Sequence, residues 1–441
     1  MKAAVTHLRQ TLTGPSGRLA RTILYAIAGS LVAVVFLRGT NHIYERIFPV
    51  LARRPPIVFL AGSFASLTIS SLLVGLLLGK FMPSAAGSGI PQLKAAYRLE
   101  GGRLPWRAAW VKLLGGIISL GGGASLGREG PTVYAAGAAA SSLAGRLGYD
   151  TPRERTAAAA TGAAAGLSAA FNTPLAAITF VLEELSGHID SHHLDGATLA
   201  SVIGAFCTWA MVGHHPAYTV PPVTEITWRS YLLAPVAAGA AAVVGIYFQR
   251  RTLYLRQRVR DTSRLPPWLR PLIGGWWVWL LGSAVFLASG HLGVFSLGYG
   301  DLSLLLHGGV TWKCALLLLL AKVSATALIY GWGGCGGIFA PTLFFGAMAG
   351  FVVASLARLS GFMLGADAEL LLSLVGMSAC FGAVVRAPLT ALLIVFEMTH
   401  RYEIVPALMI GTVTSQAVAR LFGGNRNFYD AILDQDGVSL H

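Results

Sequence analysis

The feature that most constrains this chain is a charged pair set between two apolar stretches. The pentad 127–131, Gly-Arg-Glu-Gly-Pro, follows the Gly-rich apolar run 113–126 and precedes the small-residue stretch 132–145. A charge near the centre of a bilayer costs about 2.5–3.5 kcal/mol on insertion scales, so we expect it to have a function. Pro131 suits the first turn of a helix, where its missing N–H group is not needed.

A helix that begins in this pentad would form an anion site, because several free N–H groups and the positive end of the helix dipole point the same way. Gly127 and Gly130 let the backbone bend and leave its N–H groups exposed. Together with Arg128 they are the predicted supporting residues of this helix start. Glu129 then lies where an anion would lie.

The Gly-x-x-x-Pro form occurs twice more, at 87–91 (Gly-Ser-Gly-Ile-Pro) and at 337–341 (Gly-Ile-Phe-Ala-Pro). Each copy lies in a weakly charged stretch and leads into a predicted helix. One copy would be a weak signal, since a turn before any helix can produce it. Three copies in membrane-like surroundings are a stronger one, because half-helices whose N-termini converge on an anion at mid-membrane are a known transporter device.

The composition indicates the class of protein. Only 12% of the 441 residues are charged and 54% are hydrophobic, whereas a soluble protein carries roughly 25% charged residues. Such a chain cannot cover a water-facing surface, and its 53 glycines suit closely packed membrane helices. We therefore predict an all-α polytopic protein in contact with a lipid bilayer. The four cysteines are scattered, so we predict no disulfide framework, no metal site and no cofactor.

The apolar segments are short and often interrupted. They fall near 22–37, 57–79, 105–121, 132–147, 155–170, 173–186, 196–213, 230–249, 271–290, 311–330, 339–358, 368–381, 384–398 and 403–422. Several are shorter than the roughly 20 residues that a full span needs. Broken helices are tolerated only where they are buried in protein or line a cavity, which favours a transporter or channel.

The net charge of +14 is interpreted as a sign of membrane topology. Basic residues cluster in the N-terminal segment 1–21 and in a predicted connection at 250–270, which holds a single acid, Asp261. Both segments are predicted to face the cytoplasm. No nucleic-acid motif accompanies them, so we predict no nucleic-acid partner. Lys112 and Lys322, beside apolar segments, are expected to pair with buried acids or helix ends.

An internal repeat divides the chain, because 170–183 resembles 385–397 and the pentad at 127–131 resembles the one at 337–341. We predict two homologous halves, but similarity alone leaves open whether they are parallel or inverted. The predicted organisation is a cytoplasmic segment 1–21, a first transmembrane half 22–213, a linker 214–229, a second transmembrane half 230–428, and a short C-terminal helix and tail 429–441.

The repeat also separates the acids by role. Glu183 aligns with Glu397, so we predict that both have a shared structural role, such as binding a neighbouring backbone. Glu184 aligns with Met398 and is the acid without a counterpart, which makes it the better functional candidate. The alternative interpretation is that Glu184 marks a helix end at the cytoplasmic interface.

These motifs resemble those of the CLC family of chloride channels and proton-coupled chloride transporters. The matching stretches occur in family order at 87–91, 127–131, 174–184, 336–341 and 427–429. The resemblance implies an inverted repeat of tilted and broken helices, and a homodimer with one pathway per subunit. It further implies the prokaryotic type without CBS domains, in a bacterial inner membrane with both termini cytoplasmic.

The resemblance also implies a central chloride site. Its ligands would be the hydroxyl groups of Ser88 and Tyr429 and the backbone N–H groups of Ile338 and Phe339. Ser88 stands where nitrate-selective relatives carry proline, which favours chloride as the anion.

Two acids complete the implied machinery. Glu129 resembles the gating glutamate, which competes with chloride when ionised and moves out when protonated. Glu184 resembles the inner glutamate that exchanges protons with the cytoplasm.

The resemblance therefore implies a secondary active transporter that exchanges chloride for protons. The alternative is a passive voltage- or proton-gated chloride channel of the same family. The acid at 184 favours exchange, since the exchangers generally carry an acid at this position and the channels generally do not. We predict no enzymatic activity, because the metalloprotease motif His-Glu-x-x-His does not occur in the sequence and no nucleophile–base pair is expected.

Overall fold

The computed structural model describes residues 14–82, 85–187, 191–213, 218–223, 226–424 and 426–440. Over these residues the fold is helical, with two isolated backbone bridges and no strand. The helices are α1 (Gly14–Ala52), α2 (Pro56–Phe81), α3 (Ile90–Arg98), α4 (Trp106–Gly121), α5 (Glu129–Arg146), α6 (Pro152–Phe171), α7 (Pro174–Phe180, continued by a π-helical turn at Val181–Ser186), α8 (Ser191–Met211), α9 (Trp228–Thr262), α10 (Arg270–Ser289), α11 (Tyr299–Leu306), α12 (Trp312–Gly331), α13 (Phe339–Leu359), α14 (Ala368–Val385), α15 (Pro388–Thr399), α16 (Val405–Phe422) and α17 (Phe428–Gln435).

The prediction of a polytopic membrane protein is confirmed. Within the described part of the chain, 9 helices are long and apolar enough to cross a membrane. Other helices are too short for a full span, among them α3, α7, α11 and α17. The N-terminal residues Ile90 of α3 and Phe428 of α17 are buried in the protein, as the ends of broken helices within a bilayer need to be.

Two helices differ from the predicted boundaries. The apolar run 22–37 is only part of α1, which continues to Ala52 and ends just before Pro55, because a residue ahead of a proline is driven out of the helical region. The predicted basic connection at 250–270 is wrong over its first half, since α9 extends to Thr262 and carries its arginines with it. Hydropathy marks the segment in lipid, whereas arginine continues a helix readily.

The three pentads begin helices as predicted. The first helical residues are Ile90 in α3, Glu129 in α5 and Phe339 in α13. In each case the proline of the pentad lies within the first turn, where it removes no intrahelical hydrogen bond.

Two repeat-related helices cap one another. The carboxylate of Glu183 accepts hydrogen bonds from the backbone N–H groups of Leu389 (3.0 Å) and Thr390 (2.8 Å) at the start of α15. The carboxylate of Glu397 accepts from Leu175 (2.8 Å) and Ala176 (2.7 Å) at the start of α7. Each acid therefore satisfies N–H groups that have no partner within their own helix. The predicted shared structural role of the two glutamates is confirmed.

The same contacts determine how the halves are oriented. The segments that carry Glu183 and Glu397 are equivalents in the repeat, and the C-terminal end of each meets the N-terminal end of the other. The two helices are therefore antiparallel. Because equivalent elements run in opposite directions, the halves form an inverted repeat, which the sequence similarity left open.

The centre of each half is packed through small residues. A Cβ atom on Gly346 of α13 would lie 2.1 Å from the carbonyl oxygen of Gly376 in α14. In the first half, a Cβ atom on Gly162 of α6 would lie 2.5 Å from the carbonyl oxygen of Ala136 in α5. Only small residues allow backbones to approach this closely in a membrane. The two buried helix pairs hold the starts of α5 and α13 in fixed positions.

We expect Glu183→Gln and Glu397→Gln each to lower the free energy of unfolding by about 1–3 kcal/mol, because an amide group removes one acceptor and leaves one N–H group at the helix start unpaired. Chemical denaturation in detergent would measure this. The matched control is Glu403→Gln, since Glu403 is exposed and should tolerate the change. Unfolding curves of both variants that superimpose on the wild type would contradict the capping role.

Candidate anion-binding site

The loops that carry the three pentads meet at one point. Gly127 and Gly337 exchange two backbone hydrogen bonds, of 2.7 and 2.6 Å. Gly87 donates to the carbonyl of Gly334 (3.0 Å) and accepts from the N–H group of Gly336 (3.3 Å). The starts of α3, α5 and α13 are thereby brought together, as the recurring sequence pattern predicts.

Glu129 occupies the start of α13. Its side chain is fully buried, and Oε1 accepts a hydrogen bond of 3.0 Å from the backbone N–H group of Ala340. The second oxygen, Oε2, has no hydrogen-bond partner among the described residues. The carboxylate therefore occupies the site that the helix N-terminus offers to an anion.

Glycine is required around this carboxylate because the backbone approaches it closely. A Cβ atom on Gly127 would lie 2.2 Å from Oε2 of Glu129, and one on Gly337 would lie 2.7 Å from the same oxygen. A Cβ atom on Gly130 would lie 2.1 Å from Oγ of Ser88. The glycines of the pentads thus make room for one carboxylate and one hydroxyl group.

Ser88 and Tyr429 supply two unused hydroxyl groups near Glu129. Both side chains are buried, and neither hydroxyl has a hydrogen-bond partner in the part of the chain that the structure describes. Ser88 Oγ lies against Gly130, next to Glu129, and the Tyr429 ring lies 6.4 Å from the ring of Phe339. Ile338 and Phe339 are also buried, at the start of α13. Buried hydroxyl groups normally have a hydrogen-bond partner, so these two are candidates for contacts with a ligand.

Two repeat-related lysines hold loops rather than an ion. The ammonium group of Lys112 donates to the carbonyls of Ala85 (3.0 Å) and Ala86 (3.3 Å), directly before Ser88. That of Lys322 donates to the carbonyls of Val294 and Ser296 in the equivalent loop of the second half. The expected pairing of these lysines with buried acids or helix ends is therefore wrong, because both ammonium groups bind loop carbonyls.

The site lies between two cavities. One, of about 290 Å³, is lined by Ser88, Tyr330, Arg256 and Arg260. The other, of about 670 Å³, is lined by residues that include Arg128. The larger cavity is also lined by Glu45 and Asp301, whereas the cavity beside Ser88 is lined by arginines and no acid. Positive charge at the mouth beside Ser88 would attract anions.

Glu184 lies in a second buried site. Its Oε1 is 2.8 Å from Nζ of Lys94, and its Oε2 accepts a hydrogen bond of 3.2 Å from Nδ2 of Asn427. Only 2% of the Glu184 side chain is exposed, although the residue lies in the last turn of its helix. Lys94 also lies 2.7 Å from Oδ1 of Asp430.

Sequence reasoning missed Lys94 and Asp430. The available signal was a lysine inside the helix that follows the Ser88 pentad and an acid directly after Tyr429. Neither signal predicts that Lys94 and Asp430 are in contact, because the two residues are far apart in the chain.

A hydrolase-like motif at 123–127, Gly-Ala-Ser-Leu-Gly, has a structural explanation. In hydrolases this pattern places a nucleophilic serine beside a base. Here the hydroxyl of Ser125 is buried and lies 3.1 Å from the hydroxyl of Thr326. The contacts described for Ser125 include no base, so the motif forms no nucleophile–base pair.

We expect Gly127→Ala to lower the free energy of unfolding by about 1–3 kcal/mol, because its methyl group would overlap the Glu129 carboxylate. The loss should largely disappear when Gly127→Ala is made in the Glu129→Ala background, since the clashing atoms are then absent. A double-mutant cycle by chemical denaturation would measure this coupling.

The matched control is Gly239→Ala, because nothing lies within 4 Å of a Cβ atom at that helical position. It should be neutral or stabilising, since alanine is the better helix former. An equal loss for Gly127→Ala in both backgrounds would show that a contact other than Glu129 excludes the methyl group.

Comparison with known proteins gives a consistent result. A family model described as "Voltage gated chloride channel" matches residues 70–420. The chain is 31% identical to the H(+)/Cl(-) exchange transporter ClcA of Yersinia pestis, over 97% of this chain and 94% of that protein. It is 30% identical to the protein of the same name from Vibrio cholerae, over 93% and 88%.

Solved structures show the same fold. A slow cyanobacterial Cl-/H+ antiporter superimposes with a TM-score of 0.80 at 26% identity, over 95% of this chain and 97% of that one. A CLC-type fluoride/proton antiporter superimposes with a TM-score of 0.75 at 21% identity, over 95% and 99%. The converging helix starts, the buried glutamate and these similarities lead to one conclusion: this chain belongs to the voltage-gated chloride channel family, the CLC proteins.

Proposed function

We propose that this chain is a secondary active transporter that exchanges chloride for protons across the membrane. The observation that carries the proposal is the position of Glu129, a buried titratable group on the N–H donors at the start of α13. An anion would use the same donors, so the carboxylate and the anion exclude one another. Relatives named as H(+)/Cl(-) exchange transporters and as a Cl-/H+ antiporter support the proposal.

The central chloride is bound, in this proposal, by the hydroxyl groups of Ser88 and Tyr429 and the backbone N–H groups of Ile338 and Phe339. The support is that both hydroxyl groups are buried and have no hydrogen-bond partner among the described residues. All four donors are neutral. Neutral donors bind an anion moderately, so that the ion can also leave during turnover.

Glu129 acts as the gate of this pathway. While ionised, it accepts from the Ala340 N–H group and keeps that donor from an anion. A proton removes its negative charge and weakens its hold on the donor, so that chloride can take its place. The uptake of one proton by Glu129 is thereby linked to the replacement of its carboxylate by chloride at the start of α13. This exchange needs no large movement of helices.

Glu184 provides the second step of the proton route. The cavity beside Ser88 is lined by arginines and suits anions, whereas Glu184 lies outside the residues that line it. A proton can thus reach the centre by a path that chloride does not share. Tyr429 would link the two acids, because its hydroxyl is close enough to Glu129 and to Glu184 for an electrostatic interaction with each.

The assembly and orientation are also part of the proposal. Two copies would form a homodimer with one pathway per subunit, and both termini would face the cytoplasm in a bacterial inner membrane. The support is the family resemblance together with the basic end of α9, where Arg250, Arg256 and Arg260 cluster.

We expect Glu129→Ala to abolish proton movement while chloride still flows, because alanine can neither carry a proton nor compete for the donors. The purified protein would be placed in liposomes with a chloride gradient, and the external pH recorded at clamped voltage. The exposed Glu100→Gln should behave as the wild type. Proton pumping at the wild-type rate in Glu129→Ala would overturn the gating role.

We expect Glu184→Gln to keep chloride transport but to lose uphill proton movement, because glutamine holds no exchangeable acidic proton. The same liposome assay measures both fluxes. Glu183→Gln, the neighbouring position, should instead retain coupling in the fraction of protein that folds. If Glu184→Gln still drives protons against their gradient, its role is wrong; if the wild type moves no protons, the protein is a passive chloride channel.

A further inference from the structure

One lysine is shared by two acids beside the proposed pathway. The ammonium nitrogen of Lys94 lies 2.8 Å from Oε1 of Glu184 and 2.7 Å from Oδ1 of Asp430. Lys94 comes from α3, Glu184 from the π-helical turn after α7, and Asp430 from α17. Three separate elements therefore bring one positive and two negative charges together.

The three side chains differ in their access to water. The side chains of Glu184 and Lys94 are 2% and 3% exposed, whereas that of Asp430 is 34% exposed. Asp430 is thus the member of the group that solvent protons can reach. None of the three is among the residues that line the cavity beside Ser88. The route by which water reaches Asp430 is therefore separate from the cavity through which the anion would enter.

The charges of the group suit the uptake of one proton. With both acids ionised, the two carboxylates and the Lys94 ammonium carry one net negative charge, and one proton neutralises it. Two further positive charges lie near the group. Arg98 is close enough to Glu184, and Arg386 close enough to Asp430, for an electrostatic interaction. Because both carboxylates bind the same ammonium, a proton on either leaves the other paired with Lys94.

The internal repeat shows that the ion pair belongs to one half only. Lys112 and Lys322 are equivalents 210 residues apart, and the same spacing places Leu304 of α11 opposite Lys94. Glu184 likewise aligns with Met398. Both members of the pair are replaced by apolar residues in the second half, so the inverted fold does not need this pair for its packing.

We propose that Asp430 is the residue that takes up protons from solvent, and that Lys94 is a positioning residue that couples Asp430 to Glu184. This inference rests on the proposed function. The proton binds the Asp430 carboxylate and then passes to the Glu184 carboxylate, which restores the Asp430 anion. Lys94 keeps its ammonium charge throughout, and no electrons are transferred.

The first test is Asp430→Asn in the liposome assay, with proton and chloride fluxes recorded at acidic, neutral and alkaline internal pH. We expect proton flux to fall about tenfold, because a positioned proton-transfer group is lost, with the largest loss at alkaline pH, where protons are scarce. Chloride flux should remain. Asp430→Glu should restore proton flux, and Asp434→Asn is the control, since Asp434 lies on the same helix but pairs with Arg426.

The second test is Lys94→Met against Lys94→Arg. We expect Lys94→Met to lose uphill proton movement and its pH dependence, because a buried Glu184 without its counter-charge cannot release its proton. Lys94→Arg keeps the charge and should retain coupling. Wild-type proton flux and an unchanged pH profile in Lys94→Met would overturn the positioning role.

The outcomes separate this inference from the proposed function. If Glu184→Gln is uncoupled but Asp430→Asn matches the wild type at every pH, Asp430 takes up no protons and this inference alone fails. A proportional loss of both proton and chloride flux in Asp430→Asn would show that Asp430 has a structural role, and would also overturn this inference. If Glu184→Gln itself pumps protons, the role proposed for Glu184 fails and this inference fails with it; if the wild type moves no protons, the proposed function fails.

Discussion

Every N–H group at the start of a helix inside a membrane needs an acceptor, and the structure depends on how this need is met. Bilayer hydrocarbon offers no hydrogen bonds, so a helix that begins there must be capped by the protein. Three of the interrupted helices solve this with a carboxylate. Glu397 caps α7, Glu183 caps α15 and Glu129 caps α13.

The three caps differ in how firmly they hold. Glu183 and Glu397 each use both carboxylate oxygens on two N–H groups. Glu129 has one such bond, to Ala340, and Oε2 has no partner within the described ranges. A two-point cap costs more to release than a one-point cap. Glu183 and Glu397 therefore hold the two halves together by two-point caps, whereas the one-point cap of Glu129 is the one that we propose an anion replaces.

Much of this arrangement could be predicted from the sequence, because its signals are local. The starts of α3, α5 and α13 follow from glycine and proline spacing, and the structural role of Glu183 and Glu397 follows from their alignment in the repeat. The inversion of the halves followed only from the family resemblance, since the internal similarity left it open. The lengths of α1 and α9 and the contact of Lys94 with Asp430 were not predicted. The contact of Lys94 with Asp430 depends on which distant residues meet, and a pattern within one segment contains no such information. The lengths of α1 and α9 were missed because hydropathy marks only the part of a helix that lies in lipid.

The positions at which the two halves differ indicate how an inverted fold can offer different groups to the two sides of the membrane. Two identical inverted halves would offer the same groups to both sides of the membrane, and a proton would have equivalent routes from each. Lys94 and Glu184 occur in the first half, and their counterparts Leu304 and Met398 are apolar. In the proposed mechanism, the proton route is thus confined to the side where α17 contributes Asp430. Symmetric packing would then build the proposed anion site, and the asymmetric ion pair would give the proton a separate path to it.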